Sequence, residues 1–169
     1  QQRIFLECCW ELFENASYNP LTYDGSVGLY AGASMNTYLL NNIAPNRHRL
    51  DSQDNLKVTT LDSMGGFQMM VANDKDYLAT RTSYKLNLTG PSINVQTACS
   101  TGLVVIHEAC KSLIAGESDM AIAGCSSLQS PQRAGHLFQE GMLVTPDGHC
   151  RAFDKAAKGT IFGSGVGAV

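Results

Sequence analysis

The feature that most constrains this chain is a strand, turn, helix and strand that follow one another just past its middle. Ser92 to Thr97 alternates Ile93 and Val95 with polar neighbours, as a half-buried strand does. Ala98-Cys99-Ser100-Thr101-Gly102 then turns into a segment with Leu103, Ile106, Cys110 and Leu113 at i, i+3, i+7 and i+10, the spacing of one helical face. Gly116 stands where a left-handed helix stop is wanted, and Met120 to Gly124 follows as a short apolar strand. Strand, helix and strand within about 30 residues predict a βαβ unit, and with it an α/β fold whose mainly parallel sheet is covered by helices and crossed over right-handedly.

The flanks fit the same class. Ile4, Cys8 and Leu12, with Phe5, Cys9 and Phe13 beside them, predict a first helix that runs to about Asn15. Val27 to Gly32 reads as a strand after the Asn19-Pro20 and Asp24-Gly25 loop signals. Ala33 to Asn42 is open between helix and loop, Asn41 to Leu50 is expected to be exposed, and Asp51 to Gln68 receives no assignment. Asp74 is the expected N-cap of a helix through Tyr77, Leu78 and Tyr84 that ends near Asn87, before a turn at Gly90-Pro91. Gln1 enters a helical pattern without a capping residue, and Val169 falls inside what reads as a buried strand. The expectation is an internal piece of a larger catalytic domain, cut at both ends.

Composition removes several function classes. Of 169 residues, 44% are apolar and 16% charged, which supports a packed core and opposes disorder. Fifteen acidic against twelve basic side chains leave a net charge of -3, and the longest basic run is Arg47-His48-Arg49, so no nucleic-acid platform is expected. No stretch reads as a membrane span or a secretory leader, which places the chain in the cytoplasm. Six cysteines, at 8, 9, 99, 110, 125 and 150, form no C-x-x-C pair and no repeated ligand spacing. They are expected to be reduced, to bind no metal, and to be mostly small core residues.

Cys99 stands apart because it lies at the junction of a strand and a helix start. Backbone N–H groups at a helix start favour a thiolate and can face an oxyanion that develops on an attacked carbonyl. By position alone, a buried spacer and a nucleophile are equally good readings. The small and polar neighbours Ser100, Thr101 and Gly102 favour the nucleophile, since they leave room for a substrate. No histidine partner is apparent. His107 lies about 12 Å along the helix from Cys99, and His48, His136 and His149 sit in loop-like sequence where a solvated side chain is the simpler reading.

Val95-Gln96-Thr97-Ala98-Cys99-Ser100-Thr101-Gly102 resembles the active-site stretch of β-ketoacyl synthases, in particular the ketosynthase domains of modular type I polyketide synthases. The resemblance extends along the chain in the family's order. It takes in Gln1-Gln2-Arg3 through Glu14-Asn15-Ala16, Val27 to Gly32, Asp76 to Arg81 and Leu88 to Ser92. Beyond the cysteine it takes in Asp119 to Gly124, Gly141-Met142-Leu143, Pro146-Asp147-Gly148, Cys150 to Asp154 and Gly163 to Gly167. The resemblance implies a thiolase-like fold of which residues 1–169 are most of the first α/β half, a partial ketosynthase domain.

It implies further that Cys99 accepts an acyl group from the phosphopantetheine arm of an acyl carrier protein. A malonyl-type extender on a second carrier then loses carbon dioxide and attacks the acyl-enzyme in a Claisen condensation, with no cofactor bound directly. The Cys99 backbone N–H would be one oxyanion donor, and two family histidines, in His-Gly-Thr-Gly-Thr and Asn-x-Gly-His motifs, would assist. Neither motif occurs here, so the chain alone is expected to be inert. Family members are homodimers, which makes Ser92 to Thr97 the expected interface strand.

Other signals carry less. Gly163 to Ala168 fits G-x-G-x-x-A but is not set between a strand and a helix, and no G-x-S-x-G elbow occurs. Arg151 and Asp154 are expected to play a structural part, as an ion pair or as the flanks of a turn. Glu7, Glu11 and Glu14 are read as a solvated helix face, and Met69 and Met70 as core. A fatty acid synthase-type ketosynthase, a thiolase-like condensing enzyme, a cysteine hydrolase and a non-catalytic ketosynthase-like subunit stay open as alternatives.

Overall fold

The computed structural model describes residues 1–49 and 63–169. A four-stranded sheet in the order β2-β1-β3-β4 organises them. Strand β1 (Val27–Ala33) is central and pairs in parallel with β2 (Ser92–Asn94) and with β3 (Met120–Ser127). Strand β4 (Gly165–Ala168) pairs antiparallel with β3, Val166 opposite Ser126. The helix between β2 and β3, α4 (Thr101–Ala115), therefore carries the chain over β1, and the expected βαβ unit spans three strands.

Helix α1 (Gln2–Asn15) packs on one face with α3 (Tyr77–Leu86). Phe5, Cys9 and Phe13, one turn apart on α1, close against Val27, Leu29 and Ala31 of β1, Ile122 of β3 and Leu78 and Ala79 of α3. The stripe formed by Ile4, Cys8 and Leu12 sits beside this core, with Ile4 exposed. The other face is thinner. Tyr30 and Ala123 meet only Val105 and Ala109 of α4 among buried side chains.

The apolar face read from the sequence of α4 is the wrong one for these residues. Leu103, Ile106, Cys110 and Leu113 are exposed, while Thr101, Val105, Ala109 and Ser112 turn inward. The inward stripe lies over Tyr30 of β1 and Ala123 of β3, where Val105 and Ala109 pack against the buried Tyr30 ring. The segment Ala98–Ala115 also comes nearer to a membrane span than expected, with mean hydropathy 1.2 over 18 residues. Its inward stripe packs on β1 and β3, as a core helix does.

Other expectations shift at element ends. Asp74 caps the C-terminus of α2 (Met64–Asn73); its Oδ1 accepts from the Asp76 N–H, and α3 begins two residues later than that cap position predicts. Ser63 caps α2 by accepting from the Gly66 N–H at 3.0 Å, and residues 50–62 of the unassigned stretch lie outside the described residues. Asn87 (φ 55°) and Gly116 (φ 71°) end α3 and α4 in the left-handed conformation. Strand β4 is present but its residues are exposed or half-buried, so it is not the buried strand expected around Val169. Arg151 pairs with Asp147 at 2.9 Å and not with Asp154; the two instead flank a turn, the other expected arrangement, with the Asp154 N–H donating to the Arg151 carbonyl at 3.3 Å and the Asp154 carboxylate accepting from Ala156.

Candidate active site

Strand β2 is shorter than the sequence suggests because the chain leaves the ladder to build a turn. The Val95 N–H still donates to the Ala31 carbonyl at 2.8 Å. Gln96 then pairs through its side chain, with its amide turned so that it donates to the Ala33 carbonyl (2.9 Å) and accepts from the Ala33 N–H (3.3 Å). This releases the backbone after Val95, which reverses through Thr97 (φ -126°, ψ 34°) and Ala98 (φ 53°) into a single 3-10 turn, Ala98–Ser100. A positive φ at alanine costs steric energy, and the surrounding bonds hold it.

Those bonds come from Thr101, which is 8% exposed at the first turn of α4. Its hydroxyl accepts from the Thr97 N–H (2.9 Å) and donates to the Ala98 carbonyl (2.8 Å). The Ser100 hydroxyl donates to the Thr97 carbonyl at 2.8 Å. Gly32 of β1 must lack a side chain here, since a Cβ would run into the Thr101 methyl and the Val95 carbonyl. The turn is thus clamped to the end of the central strand, and Cys99 projects from its tip as a free, exposed thiol. The Cys99 N–H has no hydrogen-bond acceptor among the described residues.

Cys99 opens onto a cleft of about 620 Å³ at the carboxyl ends of β1 and β3. Ligand sites of open α/β sheets lie at that end of the strands. Ala33, Ser34 and Met35 form one wall, Cys125 to Ser127 another, and Gly102 leaves the helix side low. Burial pushes the Cys125 thiol up from its ordinary value, partly opposed by the Gly32 N–H, so this second cysteine of the cleft is held as a neutral thiol. Ser126 is buried and its hydroxyl has no hydrogen-bond partner among the described residues.

No histidine lines the cleft among the described residues. His107 is exposed on α4. His136 bonds through Nε2 to the Thr145 carbonyl at 3.0 Å and lines a different cleft, and His149 is exposed on a turn. The side chain of His48 lies outside what is described. On that turn, the His149 N–H and then the Arg151 guanidinium hold Asp147 below the usual carboxylate range. The cysteines also depart from expectation: only Cys9 is fully buried, while Cys99, Cys110 and Cys150 are exposed. All six are free, and no cluster able to hold a metal occurs among the described residues.

The family model for the β-ketoacyl synthase N-terminal domain matches residues 1–169. The chain belongs to this family. The β-ketoacyl synthase chain is 48% identical over 169 residues to a component of the phenolphthiocerol/phthiocerol polyketide synthase of Mycobacterium tuberculosis, covering 100% of this chain and 11% of that protein. It is 37% identical over 171 residues to the phthioceranic/hydroxyphthioceranic acid synthase of Mycobacterium bovis, of which it covers 7%. Among solved structures, ketosynthase twelve of the bacillaene polyketide synthase from Bacillus amyloliquefaciens superposes with a TM-score of 0.78 at 32% identity, over 99% of this chain and 27% of that one. The module 6 ketosynthase of the bacillaene synthase from Bacillus subtilis 168 gives 0.69 at 35% identity, over 99% and 26%. The thiolase-like fold expected from the sequence is thereby established, and the chain spans about a tenth of the curated relatives it matches.

Of the cysteine and its small neighbours, Cys99, Thr101 and Gly102 line one cleft and Ser100 does not. Sequence reasoning missed Met35, Lys75 and the Cys125–Ser127 wall of the Cys99 cleft, and gave Gln96 no part in it. The signal for Gln96 was present, as a polar residue beside the elbow. The others reach the cleft only through strand register and the placement of α3, which local patterns do not encode.

Proposed function

We propose that this chain supplies the acyl-accepting cysteine of a polyketide synthase ketosynthase and is the cysteine-bearing part of that domain. In the first step Cys99 Sγ attacks the carbonyl of an acyl thioester carried on the phosphopantetheine arm of an acyl carrier protein. The carbon–sulfur bond to the carrier breaks, the carrier leaves as its thiol with the proton Cys99 gave up, and the acyl group stays on Cys99. The Cys99 N–H, left without an acceptor among the described residues, is the donor available to the carbonyl oxygen as it becomes an oxyanion. A malonyl-type extender on a second carrier then loses carbon dioxide. Its carbanion attacks the acyl-enzyme, forms the new carbon–carbon bond and releases Cys99 as leaving group.

The observation that carries this reading is the exposed thiol of Cys99 on a strained turn, in an open cleft at the carboxyl ends of the parallel strands β1 and β3. No histidine lines the cleft among the described residues, which supports the reading that the histidines of decarboxylation stand in motifs this sequence lacks and that the chain alone does not condense. Strand β2 is the sheet edge and leaves Ile93 46% exposed, which supports Ser92 to Thr97 as the segment that pairs in a homodimer. The synthase acts in the cytoplasm, without nucleic acid or a membrane as partner.

In the full-length protein, Cys99→Ala abolishes acyl loading from a carrier-bound thioester while the circular dichroism and thermal unfolding of the domain stay unchanged. Undiminished labelling of the variant would defeat the assignment. Coenzyme A thioesters offered beside carrier-bound ones, with carbon dioxide release as the readout, separate decarboxylative condensation from thiolase chemistry.

A further inference from the structure

Lys75 is the only charged side chain among the described residues that line the Cys99 cleft. It forms no ion pair or side-chain hydrogen bond among them, whereas the pairs that do form, Lys111 with Glu108 and Arg151 with Asp147, lie elsewhere on the surface. The flanking carboxylates do not line the cleft. Asp74 borders a smaller adjoining cavity that shares Ala33, Ser34 and Lys75 with the cleft, but it forms no ion pair with Lys75, and its Oδ1 accepts from the Asp76 N–H.

The backbone that carries Lys75 is held on two sides. Asn94, the last residue of β2, donates through its amide to the Asp76 carbonyl and accepts from the Ala79 N–H at 3.1 Å. Gln2 of α1, 9% exposed, donates to the Asp74 carbonyl at 2.9 Å and accepts from Arg81 at 3.2 Å. Asn94 belongs to the strand that leads to Cys99, so one amide ties the lysine turn to the same strand that positions the sulfur. A cation whose backbone is held in place, without an ion-pair partner and in a cleft that no acid lines among the described residues, attracts an anion and favours it over a neutral analogue.

We propose that Lys75 is a specificity-determining residue of this cleft, its ammonium pairing with an oxyanion that the thioester substrate carries. The proposal rests on the reading of Cys99 as the acyl acceptor. Two parts of such substrates bear an oxyanion: the phosphate of the phosphopantetheine arm and the carboxylate of a malonyl-type extender. Charge-assisted pairing of ammonium with either is the shared chemistry.

The test uses the full-length protein and two pairs of probes. Acyl-phosphopantetheine and acyl-pantetheine thioesters differ only in the phosphate, and labelling of Cys99 is read for each. Malonyl-pantetheine, which has a carboxylate but no phosphate, is read by carbon dioxide release. If the phosphate is the partner, Lys75→Gln cuts the preference for the phosphorylated acyl donor by about tenfold, mainly through KM, and Lys75→Arg restores it. If the carboxylate is the partner, the KM for malonyl-pantetheine rises by about as much and again recovers with Arg.

Unchanged KM values and unchanged preference in Lys75→Gln, with Cys99 still labelled, overturn the role of Lys75 and leave Cys99 standing. A loss equal across charged and uncharged donors, with no recovery in Lys75→Arg, also overturns it, since that marks a structural role. Failure of the unsubstituted protein to label at Cys99 overturns the reading of the site and this proposal together.

Discussion

Cys9 and Cys99 carry the same side chain in two parts of one sheet architecture, a packed face and the carboxyl end of the strands. Cys9 is fully buried with Phe5 and Phe13 on the α1–α3 face, and burial, reinforced by neighbouring Cys8, pushes its thiol up to about 12. Cys99 stands exposed at the tip of a turn at the carboxyl end of the strands. The first face is closed by interlocking apolar side chains; the second is shaped by backbone and hydroxyl hydrogen bonds around a cleft. Packing makes one cysteine a space-filler, and a hydrogen-bonded turn makes the other available. The same division should be visible in how each side responds to substitution.

The largest stability effect is expected on the closed face. Phe5→Ala removes a ring from the core and should cost about 3–5 kcal/mol, read by urea unfolding, while labelling of Cys99 in the folded fraction is retained. Loss of labelling in protein that is still folded would show the two sides to be one cooperative unit with the site.

A smaller effect is expected at the turn. Thr101→Val keeps the shape but leaves the Thr97 N–H and the Ala98 carbonyl without the Thr101 hydroxyl. About 1–3 kcal/mol of stability should go, and acyl loading at Cys99 should fall more than unfolding alone explains. Loading that falls only in step with the folded fraction would mean that the hydroxyl does not hold the elbow.

The smallest effect is silent at neutral pH. Because the Cys9 thiol in the fold lies above its ordinary value of 9.0, the fold favours the protonated form. That contribution is complete below pH 9 and is lost as pH rises toward about 12. Alkylation at pH 8 should therefore modify Cys99 and spare Cys9, and Cys9→Ala should flatten the alkaline fall in stability. Modification of Cys9 in folded protein at pH 8 would break the contrast between the two thiols.

The elbow was legible because its parts are contiguous. A strand pattern, a small-residue turn and a helix stopped by Gly116 all lie within one stretch, and Cys99 follows from their order. The face of α4 was not legible. Leu103, Ile106 and Leu113 have helical spacing and the greater hydrophobicity, yet Val105 and Ala109 face the sheet, a choice set by how α4 lies over Tyr30 and Ala123 rather than by the pattern along the helix. Arg151 likewise bonds Asp147 rather than Asp154, a choice made by the direction of a turn.

What the sequence by itself determined is the chemistry and the local frame: one cysteine at a strand–helix junction, the parallel α/β pattern and the likeness to ketosynthases, all set by neighbours along the chain. Tertiary structure decided which groups share the cleft with that cysteine. Lys75 and Cys125 arrive from α3's leading turn and from β3, brought there by strand order and register, and those depend on contacts between residues far apart in the chain.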